Sequence, residues 1–177
     1  MMHGELTNLR AIERTDTGLL RTILNDATVQ AGWGTLGVPV SLHLAEQQIE
    51  EWLEAERILR RPAALIIESL EGDPVGVIVL VTADRIQQSM VTLSIAVLPD
   101  YQRQGFGRDA LATVVDALHN EWNVHRIQLF SEAGNTAARA LYASLGFVLE
   151  ATKRDATYSS GVWHDQLVWS LLPEDVP

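Results

Sequence analysis

The sequence predicts one α/β layered domain: a mixed, mostly antiparallel sheet of about six or seven strands flanked by about four helices. Three observations carry this. Short stretches with period-two alternation, such as Val91, Leu93, Ile95 and Val97, recur along the chain and read as strands. Between them lie stretches with apolar residues at helical spacing, such as Leu111, Val114, Val115 and Leu118. No repeat, low-complexity segment or linker interrupts the 177 residues, so a single core is expected over 1–177, with about 6–172 as its body and short flexible ends.

Taken in order, Leu6 to Glu13 reads as a first strand. Asp16 can cap a short helix that buries Leu19, Leu20, Ile23 and Leu24. Residues Gln30 to Gly37 include Gly32, Gly34 and Gly37 and read as a loop. Ser41 can cap a second helix with Leu42, Ala45, Ile49, Trp52 and Leu53 on its inner face, while Glu50, Glu51, Glu54 and Glu56 fit a solvated one. Ala63 to Ser69 and Pro74 to Ala83 read as a hairpin about the turn Glu71-Gly72-Asp73. Met90 to Val97 is a strand ended by Leu98-Pro99-Asp100. A helix follows from about Gly107 to His119, then a short strand from Arg126 to Phe130. Asn135 caps a last helix, and Gly146 stops it. Phe147 to Thr157 and Val162 to Leu171 close the chain as two strands.

Composition narrows the function classes. Hydrophobic residues make up 47% of the chain and charged residues 20%, the net charge is −10 and there is no cysteine. The last fact excludes disulfides, thiolate metal sites and a cysteine nucleophile. An acidic surface is unsuited to general nucleic-acid binding and compatible with a cationic amine. No apolar run has the length of a bilayer span, and the first residues lack a signal-peptide pattern. The expectations are therefore a cytoplasmic location, no metal, and no nucleic-acid or membrane partner.

The most informative stretch is Val97-Leu98-Pro99-Asp100-Tyr101-Gln102-Arg103-Gln104-Gly105-Phe106-Gly107-Arg108. It joins a strand to a helix through two glycines. Backbone N–H groups in such a loop converge on an anion, and the helix N-terminus adds partial positive charge. Arg103 and Arg108 flank it and could pair with phosphate oxygens. The segment also satisfies G-x-G-x-x-G/A, but that dinucleotide pattern belongs directly after the first strand of a βαβ unit, with an acidic residue ending the next strand. Neither condition is met here.

Gln102-Arg103-Gln104-Gly105-Phe106-Gly107 resembles the acetyl-CoA signature of the GNAT N-acetyltransferases, in which Arg or Gln precedes G-x-G/A by two residues. A second signature of that family follows after one strand: Asn135, Ala138, Leu141-Tyr142 and Leu145-Gly146-Phe147. The resemblance runs from Leu9-Arg10 to Leu171-Leu172. Ala151-Thr152-Lys153-Arg154-Asp155 and Gly161-Val162-Trp163-His164-Asp165 are similar to the branch of ribosomal-protein alanine and diamine acetyltransferases. In diamine acetylators acidic residues follow the tryptophan of the first inter-helix loop, whereas Trp33 precedes Gly34-Thr35.

The resemblance implies a single GNAT-like domain and acetyl-CoA as co-substrate. It also implies direct attack of a primary amine on the thioester in a ternary complex, the amine being a protein N-terminus, an amino acid, a polyamine or a similar molecule. The pantetheine arm would lie between the strands Met90–Val97 and Arg126–Phe130, using backbone groups around Ile95, Ala96, Val97 and Leu98. Gln102, Arg103, Gln104, Gly105, Phe106, Gly107 and Arg108 would hold the phosphates, and Asn135 would touch the arm. Tyr142, with a reference pKa of about 10, would give its proton to the departing thiolate. Trp33 would line the acceptor pocket. No general base stands out: His43, His125, His164, Glu132 and Asp84 are all open, as is a water chain. The alternative is a catalytically silent acyl-CoA sensor of the same fold. An exposed final strand would support a homodimer.

Overall fold

A computed structural model describes residues 1–33, 38–82, 89–159 and 161–176. Eight strands form one sheet in the order β1-β2-β3-β4-β5-β6-β8-β7. They are β1 Met2–His3, β2 Thr7–Ala11, β3 Ala64–Ser69, β4 Pro74–Thr82, β5 Met90–Val97, β6 Arg126–Glu132, β7 Val148–Ser159 and β8 Val162–Leu171. Every neighbouring pair is antiparallel except β5–β6. Five α-helices accompany it: α1 Thr17–Asn25, α2 Ala27–Trp33, α3 Leu42–Leu59, α4 Phe106–Asp116 and α5 Thr136–Ser144.

The fold class is as the sequence predicts, with one more strand and one more helix among the described residues. The extra strand, β1, has two residues, too few for a periodic signal. The extra helix is α2, whose last four residues fall in the stretch from Gln30 to Gly37 that reads as a loop in the sequence. Asp26 explains it: its carboxylate accepts the N–H groups of Thr28 and Val29 at 2.9 and 3.0 Å, capping the helix start. Val29 is buried and Trp33 packs with it.

The capping expectations met the structure unevenly. Ser41 accepts from Leu44 N–H at 3.2 Å, and Asn135 from Ala138 N–H at 3.0 Å. Asp16 does not cap α1 with its side chain. Its carboxylate instead takes both outer nitrogens of Arg10 at 2.8 Å and the N–H of Glu13 at 2.8 Å. Arg10 sits opposite on β2, and a bidentate pair outcompetes a neutral cap. Burial would push the Asp16 carboxyl up, but Arg10 and the Glu13 N–H hold it below its ordinary value.

Strand alternation divides the core between the two faces of the sheet. Leu65, Ile67, Ile78, Leu80, Val91 and Leu93 face α4, joined by Ile127, Leu129, Leu167, Trp169 and Leu171 beside α5. Ala64, Ile66, Val77, Val79 and Ala96 face α1 and α3 with Leu20, Ile23, Ala45 and Ile49. The second cluster draws nothing from β6, β7 or β8. Strands β2 to β5 are thus covered on both faces, and the other end of the sheet is covered mainly on one.

Candidate active site

Strands β5 and β6 pair through Met90↔Arg126, Val91↔Ile127, Thr92↔Gln128 and Leu93↔Leu129, and no further. Beyond that point β5 remains on β4 to Val97↔Gly76, and β6 remains on β8 to Glu132↔Gln166. The sheet therefore splits into a V-shaped gap edged by Ser94–Val97 and by Phe130–Glu132.

Register fixes what the β5 edge offers. Leu98 N–H donates to Val75 C=O at 2.9 Å, so Leu98 and Ala96 direct their backbone groups to β4, and Ile95 and Val97 direct theirs into the gap. The two gap-facing carbonyls are already occupied. Trp33 Nε1–H donates to Ile95 C=O at 2.8 Å, and Gln102 Nε2–H donates to Val97 C=O at 2.8 Å. The N–H groups of Ile95 and Val97 are left facing the gap.

One face of the gap carries an anion cradle. Gly105 is the N-cap of α4 at φ +96°, a conformation that disfavours any side chain. The N–H groups of Arg108 and Asp109 both return to Gly105 C=O. Those of Phe106 and Gly107 have no acceptor among the described residues, as the first turn of a helix requires. A Cβ at Gly107 would meet Val97, Ile95 and Leu141 at 3.5–3.9 Å, so α4 begins directly against the end of β5 and beside α5. The site thus fits a chain of phosphates: free helix N–H groups, glycine at the close approach, and the exposed Arg103 and Arg108 at its rim. Gln104 is turned away, donating to Asp100 C=O at 2.6 Å, and Phe106 packs edge-on to Tyr101 with centroids 5.8 Å apart.

The cradle is also braced from outside. Asp109 accepts from the N–H groups of Glu5, Leu6 and Thr7 at 2.9, 3.0 and 2.8 Å, and from the Thr7 hydroxyl at 2.6 Å. Burial opposes the charge, but these bonds hold the Asp109 carboxyl below its ordinary value.

Tyr142 stands at the apex of the V. Its ring lies 6.0 Å from that of Trp169 and 5.9 Å from that of Phe147. Trp169 is the β8 partner of Leu129, the last β6 residue paired to β5. Tyr142 is 5% exposed, and its hydroxyl has no hydrogen-bond partner among the described residues. Burial pushes its pKa up to about 12, so the phenol carries its proton at every ordinary pH.

On the opposite face α2 packs against both β5 and β6. Trp33 lies at its C-terminal end, so its indole closes the gap from the side away from the cradle. The candidate bases scatter. His43 is exposed on α3 beside Glu46, at 3.8 Å. His125 precedes β6, at the end where the strands are still paired. His164 Nε2 is 3.3 Å from Ser159 C=O. Asp84 lies outside the described residues, as do Gly34 and Thr35. Glu132 alone of these lies on the edge of the gap.

A family model described as the acetyltransferase (GNAT) family matches residues 30–147. The chain belongs to this family. Its members use acetyl-CoA, whose pyrophosphate the cradle suits. Among curated relatives, [Ribosomal protein bS18]-alanine N-acetyltransferase of Escherichia coli (strain K12) is 44% identical over 80 residues, 45% of this chain and 53% of that protein. The chain spans about half the length of the curated relatives it matches at this level. A prophage-derived N-acetyltransferase, YokL of Bacillus subtilis (strain 168), is 23% identical over 97% of this chain and 93% of its own. Among solved structures, spermidine N-acetyltransferase from Vibrio cholerae, in complex with CoA and spermine, superposes with a TM-score of 0.85. It shares 22% identity over 96% of this chain and 97% of that one, which establishes the common GNAT fold. Among the described residues no cluster of side chains suits a metal ion.

Proposed function

We propose that this GNAT chain transfers an acetyl group from acetyl-CoA to a primary amine by direct attack, with both substrates bound together. The split between β5 and β6 carries the reading. It has a phosphate-binding helix start on one face and an indole-walled opening on the other, so two molecules can meet within it from opposite sides.

Acetyl-CoA supplies the activated acetyl thioester; the chain supplies position and charge. Gly105, Phe106 and Gly107 offer N–H groups to the pyrophosphate, and Arg103 and Arg108 neutralise it. Gln102 acts indirectly, tying the loop to Val97. The N–H groups of Ile95 and Val97 receive the pantetheine arm and the thioester oxygen as it gains charge. Asn135 holds the start of α5, so that Tyr142 stays at the apex. As the neutral amine's nitrogen bonds to the acetyl carbon and the C–S bond breaks, Tyr142 gives its proton to the departing thiolate; the proton the nitrogen sheds passes to water and restores the phenol. Most of the acceleration comes from holding amine and thioester together.

The test is release of CoA thiol from acetyl-CoA in the presence of pooled amines, read with a thiol-reactive dye. The chain has no cysteine, so every thiol that appears comes from the co-substrate. Release with one pool supports the reading and gives the acceptor class. Tight acetyl-CoA binding by calorimetry without release from any pool would instead support a silent acyl-CoA sensor. That second reading draws on one observation: the polar side chains of β5 are Thr92 and Ser94, neither of which is a base.

A further inference from the structure

Beyond the last β5–β6 pair, side chains of β6 alternate between the two faces. Ile127 and Leu129 pack into the core beside α4 and α5, and Ser131 accepts from the indole of Trp169 in that core at 3.0 Å. Phe130 and Glu132 therefore point to the other face, the side from which α2 closes the gap. That face is open to an incoming amine in the proposed reaction when the cradle side holds the co-substrate.

Two unlike charges stand there without neutralising each other. Glu132 Oε1 accepts the Ser159 hydroxyl at 2.9 Å, and no cation among the described residues pairs with it. Lys153 Nζ lies 4.5 Å from the centre of the Phe130 ring and pairs with no carboxylate among the described residues. Glu132 and Lys153 are in one row across the sheet, each opposite Gln166. Lys153 leans out of that row onto Phe130, which lies two residues before Glu132 and about 7 Å from it along the strand.

Reach alone does not keep them apart. Between the same two strands, further from the gap, Arg126 and Glu150 do close a two-pronged ion pair. There the pair is sealed; beside the gap it is open, with the acidic member on the gap's edge and the basic member outside.

We infer that Glu132 and Lys153 read the acceptor, and that this acceptor is a primary amine carrying an anionic group a few bonds away. The amino group docks at Glu132, next to the thioester, and attacks once its ammonium form has lost a proton to water; the anionic group docks at Lys153. A polyamine fits badly, because its second ammonium meets Lys153. The chemistry is shared by free amino acids and by peptide N-termini followed by an acidic residue. The inference rests on the acetyl-transfer reading above and adds the substrate class to it.

The experiment compares kcat/KM for γ-aminobutyrate, putrescine, L-alanine and two N-terminal alanyl peptides, one with aspartate and one with lysine second. Wild-type protein should favour γ-aminobutyrate over putrescine, and the aspartyl over the lysyl peptide, by about tenfold or more. Lys153→Glu should invert both preferences with the KM for acetyl-CoA unmoved. Glu132→Gln should raise KM for every amine and spare acetyl-CoA. A higher efficiency with L-alanine than with either peptide would assign the free amino acids; the reverse would assign N-termini. Turnover of putrescine as good as that of γ-aminobutyrate, unchanged by Lys153→Glu, would overturn this inference and leave acetyl transfer standing. No thiol release from any of these amines or the wider pools would remove both.

Discussion

The two edges of the gap are built from different material. The β5 edge works through its backbone: N–H groups of Ile95 and Val97 face inward, their carbonyls are tied down by Trp33 and Gln102, and the glycine-led start of α4 abuts the strand. The β6 edge works through side chains: Phe130 and Glu132 on one face, and Tyr142 beside Trp169, the β8 partner of Leu129, on the other. A backbone edge suits a ligand that never varies, because its geometry is set by the strand register. A side-chain edge can be altered one residue at a time, which suits selection of an acceptor. In an enzyme of this class the first edge should govern the co-substrate and the second the chemistry and the amine.

The sharpest break of that division is Tyr142→Phe, which keeps the ring between Phe147 and Trp169 and deletes one oxygen. Turnover should fall by about 100-fold or more, with acetyl-CoA affinity by calorimetry nearly unchanged. Wild-type turnover in this variant would remove Tyr142 as the proton donor. On the other edge, Gly105→Ala forces a side chain into φ +96°, a strain of about 1–2 kcal/mol. Its Cβ would also meet Leu6 Cδ1 at 2.9 Å, which a flexible leucine can relieve. Acetyl-CoA should bind roughly tenfold more weakly, with kcat at saturation little altered. A change confined to the amine KM would contradict the division.

How legible each edge is in the sequence follows from the same difference. The β5 edge is spelled out by contiguous residues, since a strand, a glycine loop and a helix start occupy one stretch from Met90 to Asp116. Period and glycine spacing therefore reveal it. The fold is legible for a similar reason: alternation in Val91, Leu93, Ile95 and Val97 marks a strand wherever it sits in the sheet. The β6 edge is assembled from distant segments. Lys153 joins Phe130 only through the β6–β8–β7 register, and nothing local in Ala-Thr-Lys-Arg-Asp announces that. Helix α2 is masked in the sequence because the glycines after Gln30 compete with the Asp26 cap and the Val29–Trp33 spacing. Glu132 was visible as a strand-end carboxylate, but its face depends on where pairing with β5 stops.

A smaller effect tests the residue that touches both sides. Trp33 closes the face of the gap proposed for the acceptor and also ties down the Ile95 carbonyl. Trp33→Phe keeps an aromatic wall and removes the N–H, leaving that carbonyl without its donor, a change worth about 1 kcal/mol. The KM for the amine should rise roughly threefold to tenfold, while acetyl-CoA binding moves less. Equal weakening of both substrates would mean that the indole serves the β5 edge alone.

The smallest expected effect lies behind the cradle, at Asp109. Its carboxylate ties the first turn of α4 to the N–H groups of Glu5, Leu6 and Thr7 and to the Thr7 hydroxyl. Burial disfavours its charge, and these four bonds reverse the balance, so its folded pKa lies below the unfolded one. The stabilisation is therefore complete above the ordinary aspartate range, near pH 4, and is lost as pH falls through the depressed folded value. Asp109→Asn should lower Tm by roughly 2–4 °C at neutral pH and flatten this acid limb, because an amide gains nothing from ionisation. Since Asp109 braces only the cradle, acetyl-CoA affinity should weaken slightly and the amine KM should hold. A shift in the amine KM would show that the two edges are mechanically coupled through α4, and the division between them would then have to be drawn at the helix instead of at the gap.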